Sequence, residues 1–182
     1  MKIKFLVFLL LSDFCLYSQD TTFIEVKGKT NRYFVKTLAS TKFIWNINNN
    51  LYKEKQKYFI GNINEIPSSL PNYLINKEKI VKIGNEVLSE NRVKEMSKIN
   101  DNIFINFYFL PRGKIIEIKF MLSLKSIVKI EELEELEKRL KNELSFIPDV
   151  KCFDDEKYKD ANYVTYTVRL NSLMLLDHRS RK

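Results

Sequence analysis

Between residues 103 and 144 the apolar positions change period, from two to between three and four. Ile103, Ile105, Phe107 and Phe109 alternate with Phe104, Asn106 and Tyr108, the pattern of a half-buried strand over Ile103–Leu110. Pro111 presets the dihedral of a turn's second residue and Gly113 closes it. Leu110-Pro111-Arg112-Gly113 is therefore expected to form a type I turn with a left-handed glycine, a three-residue hairpin loop. In the return strand, Lys114–Leu122, a regular ladder would set Glu117 opposite the apolar Phe107. A bulge near Ile115–Ile116 repairs the phase, because one extra residue reverses the facing of everything after it. Ile115, Ile118 and Phe120 are then expected to face the core. From Ile130 the spacing becomes helical: Ile130, Leu133, Leu136, Leu140 and Leu144 form one stripe. The glutamates of the first turns and the later Lys138, Arg139 and Lys141 suit the helix dipole, and the charged residues read as a solvated outer face with Glu134–Lys138 and Glu137–Lys141 pairs.

The same reading along the rest of the chain finds strands at Phe23–Val26, Arg32–Leu38 and Lys42–Ile47, a turn at Asn48-Asn49-Asn50, and a short strand at Lys57–Ile60. Trp45, the single tryptophan, is expected in the core. Ile66–Pro71 is a connector. Tyr73–Leu88 has helical spacing weakened by Gly84, and Ser89 is placed to cap a helix over Glu90–Ile99. Asn162–Leu170 reads as the third strand of the hairpin unit. Ser172–Leu176 either extends that strand or begins a short tail, which runs into the basic residues 177–182. The class is α+β: an N-terminal β-rich part (19–72) packed on a β-hairpin, long helix and strand unit (73–176) with an antiparallel sheet.

Composition adds location. Lys2 and Lys4 precede an apolar run from Phe5 to Leu11, then Ser18 precedes Gln19, the plan of a secretory signal over residues 1–18. The run is too short to span a bilayer of about 30 Å. Phe14 stands where a lipobox needs a small residue before Cys15, so no lipid anchor is expected. Cleavage after Ser18 leaves Cys152 without a partner and no disulfide framework. The chain carries a net charge of +8 with lysines scattered rather than blocked, which for an exported protein gives no nucleic-acid reading.

Candidate chemistry is sparse. The one histidine, His178, falls in the expected tail. Asp154-Asp155-Glu156 lacks the spacing of a calcium loop and reads as a solvated turn. Cys152 beside those acids would keep a raised thiol pKa. No nucleophile elbow, zinc-protease or phosphate-loop motif occurs. The expectation is a protein that is not an enzyme and binds no cofactor or metal.

The helix, strand, Pro-x-Gly turn, strand, long helix, strand order over Ser89–Leu170, carried above all by Ile103–Ile118, resembles the C-terminal domain of TonB-type energy transducers. The chain as a whole is similar to uncharacterised small exported proteins of Bacteroides-type bacteria. With four prolines the chain has no proline-rich spacer, so the resemblance implies an exposed sheet edge that accepts a peptide strand rather than force transduction. The expected function is a non-catalytic binding module of the cell envelope with a protein or peptide partner. The expected edge is Tyr163–Leu170 or Ile103–Leu110, and the candidate contact residues are Phe104, Tyr108 and Val168. A structural or assembly subunit is the alternative, signalled if Phe104 and Tyr108 lie uncovered.

Overall fold

The structure is a computed structural model that describes residues 23–51, 76–110, 113–145 and 163–180. Among these residues one antiparallel sheet contains β1 (Phe23–Lys27), β2 (Arg32–Leu38), β3 (Thr41–Asn46), β4 (Asn102–Phe109), β5 (Ile115–Ser123) and β6 (Val164–Asn171), in the order β1-β2-β3-β5-β4-β6. Four helices accompany it: α1 (Lys77–Val87), α2 (Glu90–Lys98), α3 (Ile130–Glu143) and α4 (Ser172–Ser180). The class is α+β. The expected signal, the Lys57–Ile60 strand, the Ile66–Pro71 connector, Cys152 and Asp154–Glu156 lie outside the described residues.

The hairpin forms as its pattern requires. Gly113 has φ 89°. Its N–H donates to Leu110 O at 2.7 Å and Leu110 N–H donates to Lys114 O at 2.9 Å, the closing bonds of a three-residue loop. The bulge expected near Ile115–Ile116 is present too: Tyr108 pairs with Glu117 and Phe109 with Ile115, so Ile116 is the extra residue. Phe107 then pairs with Ile118, and Ile115, Ile118 and Phe120 are buried.

The register lines up one row of side chains across all six strands: Ile24, Val35, Ile44, Phe120, Ile105 and Val168. Most of this row, with its neighbours, meets the helices in one core cluster that includes Ile80, Ile83, Val93, Met96, Leu133, Leu136, Leu140 and Leu175. Burying each leucine contributes about 1.5–3 kcal/mol. Side chains cap two of the helices, Ser89 as expected and Asn76 in addition. Asn76 Oδ1 accepts from Lys79 N at 2.9 Å and Ser89 Oγ from Arg92 N at 3.2 Å. Gly84 sits where a Cβ would lie 2.9 Å from a Leu170 methyl and 3.0 Å from one of Leu175, so the residue that weakens α1 also lets β6 and α4 approach it.

Two expectations are corrected. Residues 172–180 are neither a strand extension nor a tail. Asn171 Oδ1 accepts from Met174 N at 2.7 Å, which turns the chain into α4. Leu175 is then fully buried, and Arg179 donates to Asn85 O at 2.8 Å and Leu88 O at 2.6 Å, satisfying carbonyls at the end of α1.

The second correction concerns α3, whose acidic side is not simply solvated. Glu134 and Glu137 are buried. Glu134 turns away from Lys138 into the β1–β2 turn, where it accepts from the backbone N–H groups of Lys29 (2.5 Å), Thr30 (3.0 Å) and Asn31 (2.9 Å). The Thr30 hydroxyl and the Asn31 amide also donate to it. Glu137 accepts from the Tyr33 hydroxyl at 2.9 Å and still pairs with Lys141 at 2.6 Å. A turn of consecutive backbone donors is a concave anion receptor, and a glutamate one helix layer above it supplies the anion. Burial pushes the Glu134 carboxyl up, but the bonds from Thr30, Lys29 and Asn31 more than reverse this and hold it below its ordinary value.

Glu134→Gln should destabilise the protein by about 2 kcal/mol at neutral pH, since it faces an amide N–H₂ toward donors that need an acceptor. The carboxylate's contribution is complete above the ordinary value of 4.5 and is lost as the pH falls through the depressed folded value. Urea unfolding should therefore show the wild-type advantage shrinking below that point; a gap independent of pH would contradict the clamp. A Cβ at Gly28 would collide with the same carboxylate, so Gly28→Ala should also destabilise wild type, and less so in the Glu134→Gln background.

Removing residues 172–180 should leave a protein that fails to unfold cooperatively, because α1 loses Leu175 and Arg179 together. Arg179→Ala alone should cost about 1–3 kcal/mol by chemical denaturation. A shortened chain as stable as the whole one would show that α4 is dispensable.

Candidate functional surface

No described helix packs on the second face of the sheet. Two rows of side chains cross it in register. One runs Phe23, Lys36, Phe43, Met121, Phe104 and Arg169; the next runs Glu25, Phe34, Trp45, Lys119, Asn106 and Thr167. Aromatic rings and cations interleave, and the cations lie over the rings. Lys36 Nζ is 5.3 Å from the Phe23 centroid, Lys119 Nζ is 4.9 Å from Trp45 and 5.1 Å from Phe43, and the Arg169 guanidinium is 5.8 Å from Phe104. Phe23 also meets Trp45 edge-on at 5.9 Å. Trp45 is buried as expected, but on this face and outside the helix-side core cluster.

The carboxylates of this face are committed. Glu25 pairs with Arg32 at 2.8 Å. Glu117 accepts from the backbone N–H groups of Asn50 (2.6 Å) and Leu51 (3.1 Å), which fastens the loop after β3 onto β5. Burial, and then the like charge of Lys36, hold the Lys119 ammonium below the ordinary lysine range.

Phe104 and Tyr108 both lie on this face; Val168 does not. Phe104 is 38% exposed beneath Arg169. Tyr108 is nearly buried, its ring centroid 5.6 Å from that of Tyr163. Burial, followed by Tyr163 and Glu117, pushes the Tyr108 hydroxyl pKa up. Val168 pairs with Ile105 on the helix side and belongs to the core. The expectation that Ile103–Leu110 is an edge is overturned: β4 lies between β5 and β6. Among the described residues the edges are β6, as expected, and β1. They differ in kind. β6 turns Thr165, Thr167 and Arg169 to the open face, and its helix-side Val168 and Leu170 are buried. β1 exposes large apolar groups on both faces, Phe23 at 54% and Ile24 at 58%.

Phe23, Lys36 and Lys119 were not singled out from the sequence. Their signal was the period-two order of Phe34/Lys36 and Phe43/Trp45, which sets each pair on one face. Only the pairing of β3 with β5 brings those pairs beside Lys119.

A concavity of about 320 Å³ opens beside α1 and is lined by Glu78, Lys79, Lys82, Glu143 and His178 among others. His178 Nδ1 lies 3.2 Å from the Asn85 amide nitrogen. Glu143 is engaged by Arg139 at 2.6 Å, whose hydrogen bond holds its carboxyl below the ordinary range. Among the described residues no group of three or more His, Cys, Asp or Glu side chains is arranged to hold a metal ion. No described helix is long and apolar enough to cross a membrane.

No protein-family model matches the chain, and no curated protein matches it. Among solved structures it is similar to a DUF5043 family protein from Bacteroides uniformis ATCC 8492, with a TM-score of 0.61 and 20% identity over 83% of this chain and 85% of that one. The likeness supports a shared fold with a family of Bacteroides-type bacteria.

Lys36→Gln should raise the pKa of Lys119 toward the ordinary lysine value, because it removes the neighbouring like charge while burial remains. Side-chain NMR titration of Lys119 in both proteins measures this. An unchanged titration would show that the two ammonium groups do not share a field.

Proposed function

We propose that this chain is a non-catalytic binding module, exported to the cell envelope or beyond it, that accepts an extended polypeptide strand along the open edge of β1. One observation carries the reading: Phe23 and Ile24, on opposite faces of an edge strand, are both more than half exposed. Proteins ordinarily blunt such edges with charge, proline or short length. β1 is short, but its first two residues are apolar and its only carboxylate is already paired with Arg32. An incoming strand would satisfy the edge's backbone groups and cover both side chains, the mode of recognition known as β-augmentation. The resemblance of Ser89–Leu170 to the TonB C-terminal domain implies the same mode. Export rests on the basic and apolar pattern of residues 1–18.

A fluorescently labelled synthetic peptide alternating valine with glutamate serves as the probe. It should bind the wild-type protein saturably by anisotropy. Ile24→Lys, which points a charge inward at the edge, should abolish binding while leaving the unfolding midpoint within a few degrees. A peptide N-methylated at alternate residues, unable to donate to the ladder, should not bind. Equal binding by the methylated peptide, or by the Ile24→Lys protein, would overturn the reading.

A further inference from the structure

We infer that the strand received at β1 is acidic on one face and apolar on the other, and that Lys27 and Lys36 read its acidic face. This rests on the edge reading above and goes beyond it by naming the partner's chemistry.

Side chains of a strand paired with β1 must alternate between the two faces of the sheet. Those beside Ile24 and Val26 fall on the helix side, where Ile24 is 58% exposed and Val26 half-buried, and where the nearby carboxylates are already engaged, Glu137 by Tyr33 and Lys141 and Glu134 by the β1–β2 turn. Those beside Phe23, Glu25 and Lys27 fall on the open face, where the charge is one-sided. Lys27, Arg32 and Lys36 stand on β1 and β2. Glu25 is the acid among them and Arg32 occupies it at 2.8 Å. Glu117, on β5, is held by the loop after β3. Among the described residues neither Lys27 nor Lys36 pairs with a carboxylate.

The geometry gives Lys36 reach. It lies one strand in from the edge, directly opposite Phe23 in the ladder. Its ammonium is drawn over the Phe23 ring, 5.3 Å from the centroid, and so toward the edge. Neighbouring strands are about 4.8 Å apart. A glutamate on the added strand beside Phe23 therefore extends inward to meet an ammonium that already extends outward. Lys27 sits on β1 itself, at its far end, and meets the added strand directly.

A second copy of this chain suits the edge less well. In the antiparallel register centred on β1, Glu25 would face Glu25, a like-charge cross-strand pair. The net charge of +8 opposes the approach of an identical molecule. An acidic, alternately apolar strand of another protein satisfies both faces at once.

Three labelled peptides test this on the full chain: valine alternating with glutamate, with glutamine, or with lysine. The glutamate peptide should bind tightest and lose affinity as salt rises. The glutamine peptide should be weaker by roughly two- to fivefold for each residue replaced, and the lysine peptide should not bind. Lys27→Glu combined with Lys36→Glu should reverse the order in favour of lysine, with the unfolding midpoint confirming that the variant is folded. Glutamate and glutamine peptides binding equally, without salt dependence, would overturn the charge assignment and leave the edge reading standing. Failure of all three peptides would overturn the edge reading and this inference with it. A concentration-dependent dimer dissolved by Ile24→Lys, with no peptide bound, would assign the edge to a second copy and also overturn the inference.

Discussion

The carboxylate of Glu134 in the turn between β1 and β2 is the contact on which the arrangement of the other parts depends. Among the described residues, strands β1 and β2 join the sheet through β3 alone. Five donors from Lys29, Thr30 and Asn31 converge on one anion and fix the turn to α3. One turn further along the helix, Glu137 takes the Tyr33 hydroxyl. The leucines of α3 meanwhile pack into the core. One helix thus binds the sheet by two chemistries, with dispersion from its apolar stripe and charge-assisted hydrogen bonds from its acidic flank. The second is directional, and it sets where the β1 edge points. A buried carboxylate without these donors would cost several kcal/mol, so the turn and the glutamate stand or fall together.

A sheet of six strands has two broad faces, and the described helices cover one of them. That asymmetry decides what the second face must be. It is made neither of bare hydrocarbon nor of simple charge: lysine and arginine stems lie across Phe23, Phe43, Trp45 and Phe104, so each ring is shielded by a cation. Long cationic side chains cover apolar area while keeping their charge near water. The face is kept soluble by this arrangement, and its positive potential remains available.

The strand register was legible because the conflict at Glu117 had one economical solution, the bulge at Ile116. Helices α2 and α3 were legible from spacing and from the cap at Ser89, whereas α1 showed only helical spacing weakened by Gly84, and its cap at Asn76 was not read. What could not be read was set by partners distant in sequence. Glu134 has the same local signature as Glu131 or Glu135, and its burial follows from a turn that arrives more than a hundred residues earlier in the chain. Val168 looked like an edge residue because β6 is an edge, yet its direction is set by Ile105. Residues 172–180 have a weak helical pattern of their own, and α4 exists because Gly84 leaves room for it and Arg179 finds the free carbonyls of α1. The open face was legible strand by strand but not as a surface, since the neighbour of β3 is β5 and not the next strand in the chain.

That same strand order has a kinetic consequence. The bonds that close the molecule join residues far apart: Asn49 to Ile118 across 69 positions, Arg179 to Asn85 across 94, and Thr30 to Glu134 across 104. Such non-local closure carries a loop-entropy cost before any contact repays it, and topologies of this kind fold in milliseconds to seconds rather than microseconds. The early β1–β3 meander must wait, unfastened, for helix α3 to be synthesised. During that interval its aromatic surface and its unpaired rim are open to any holdase or aggregation partner at hand.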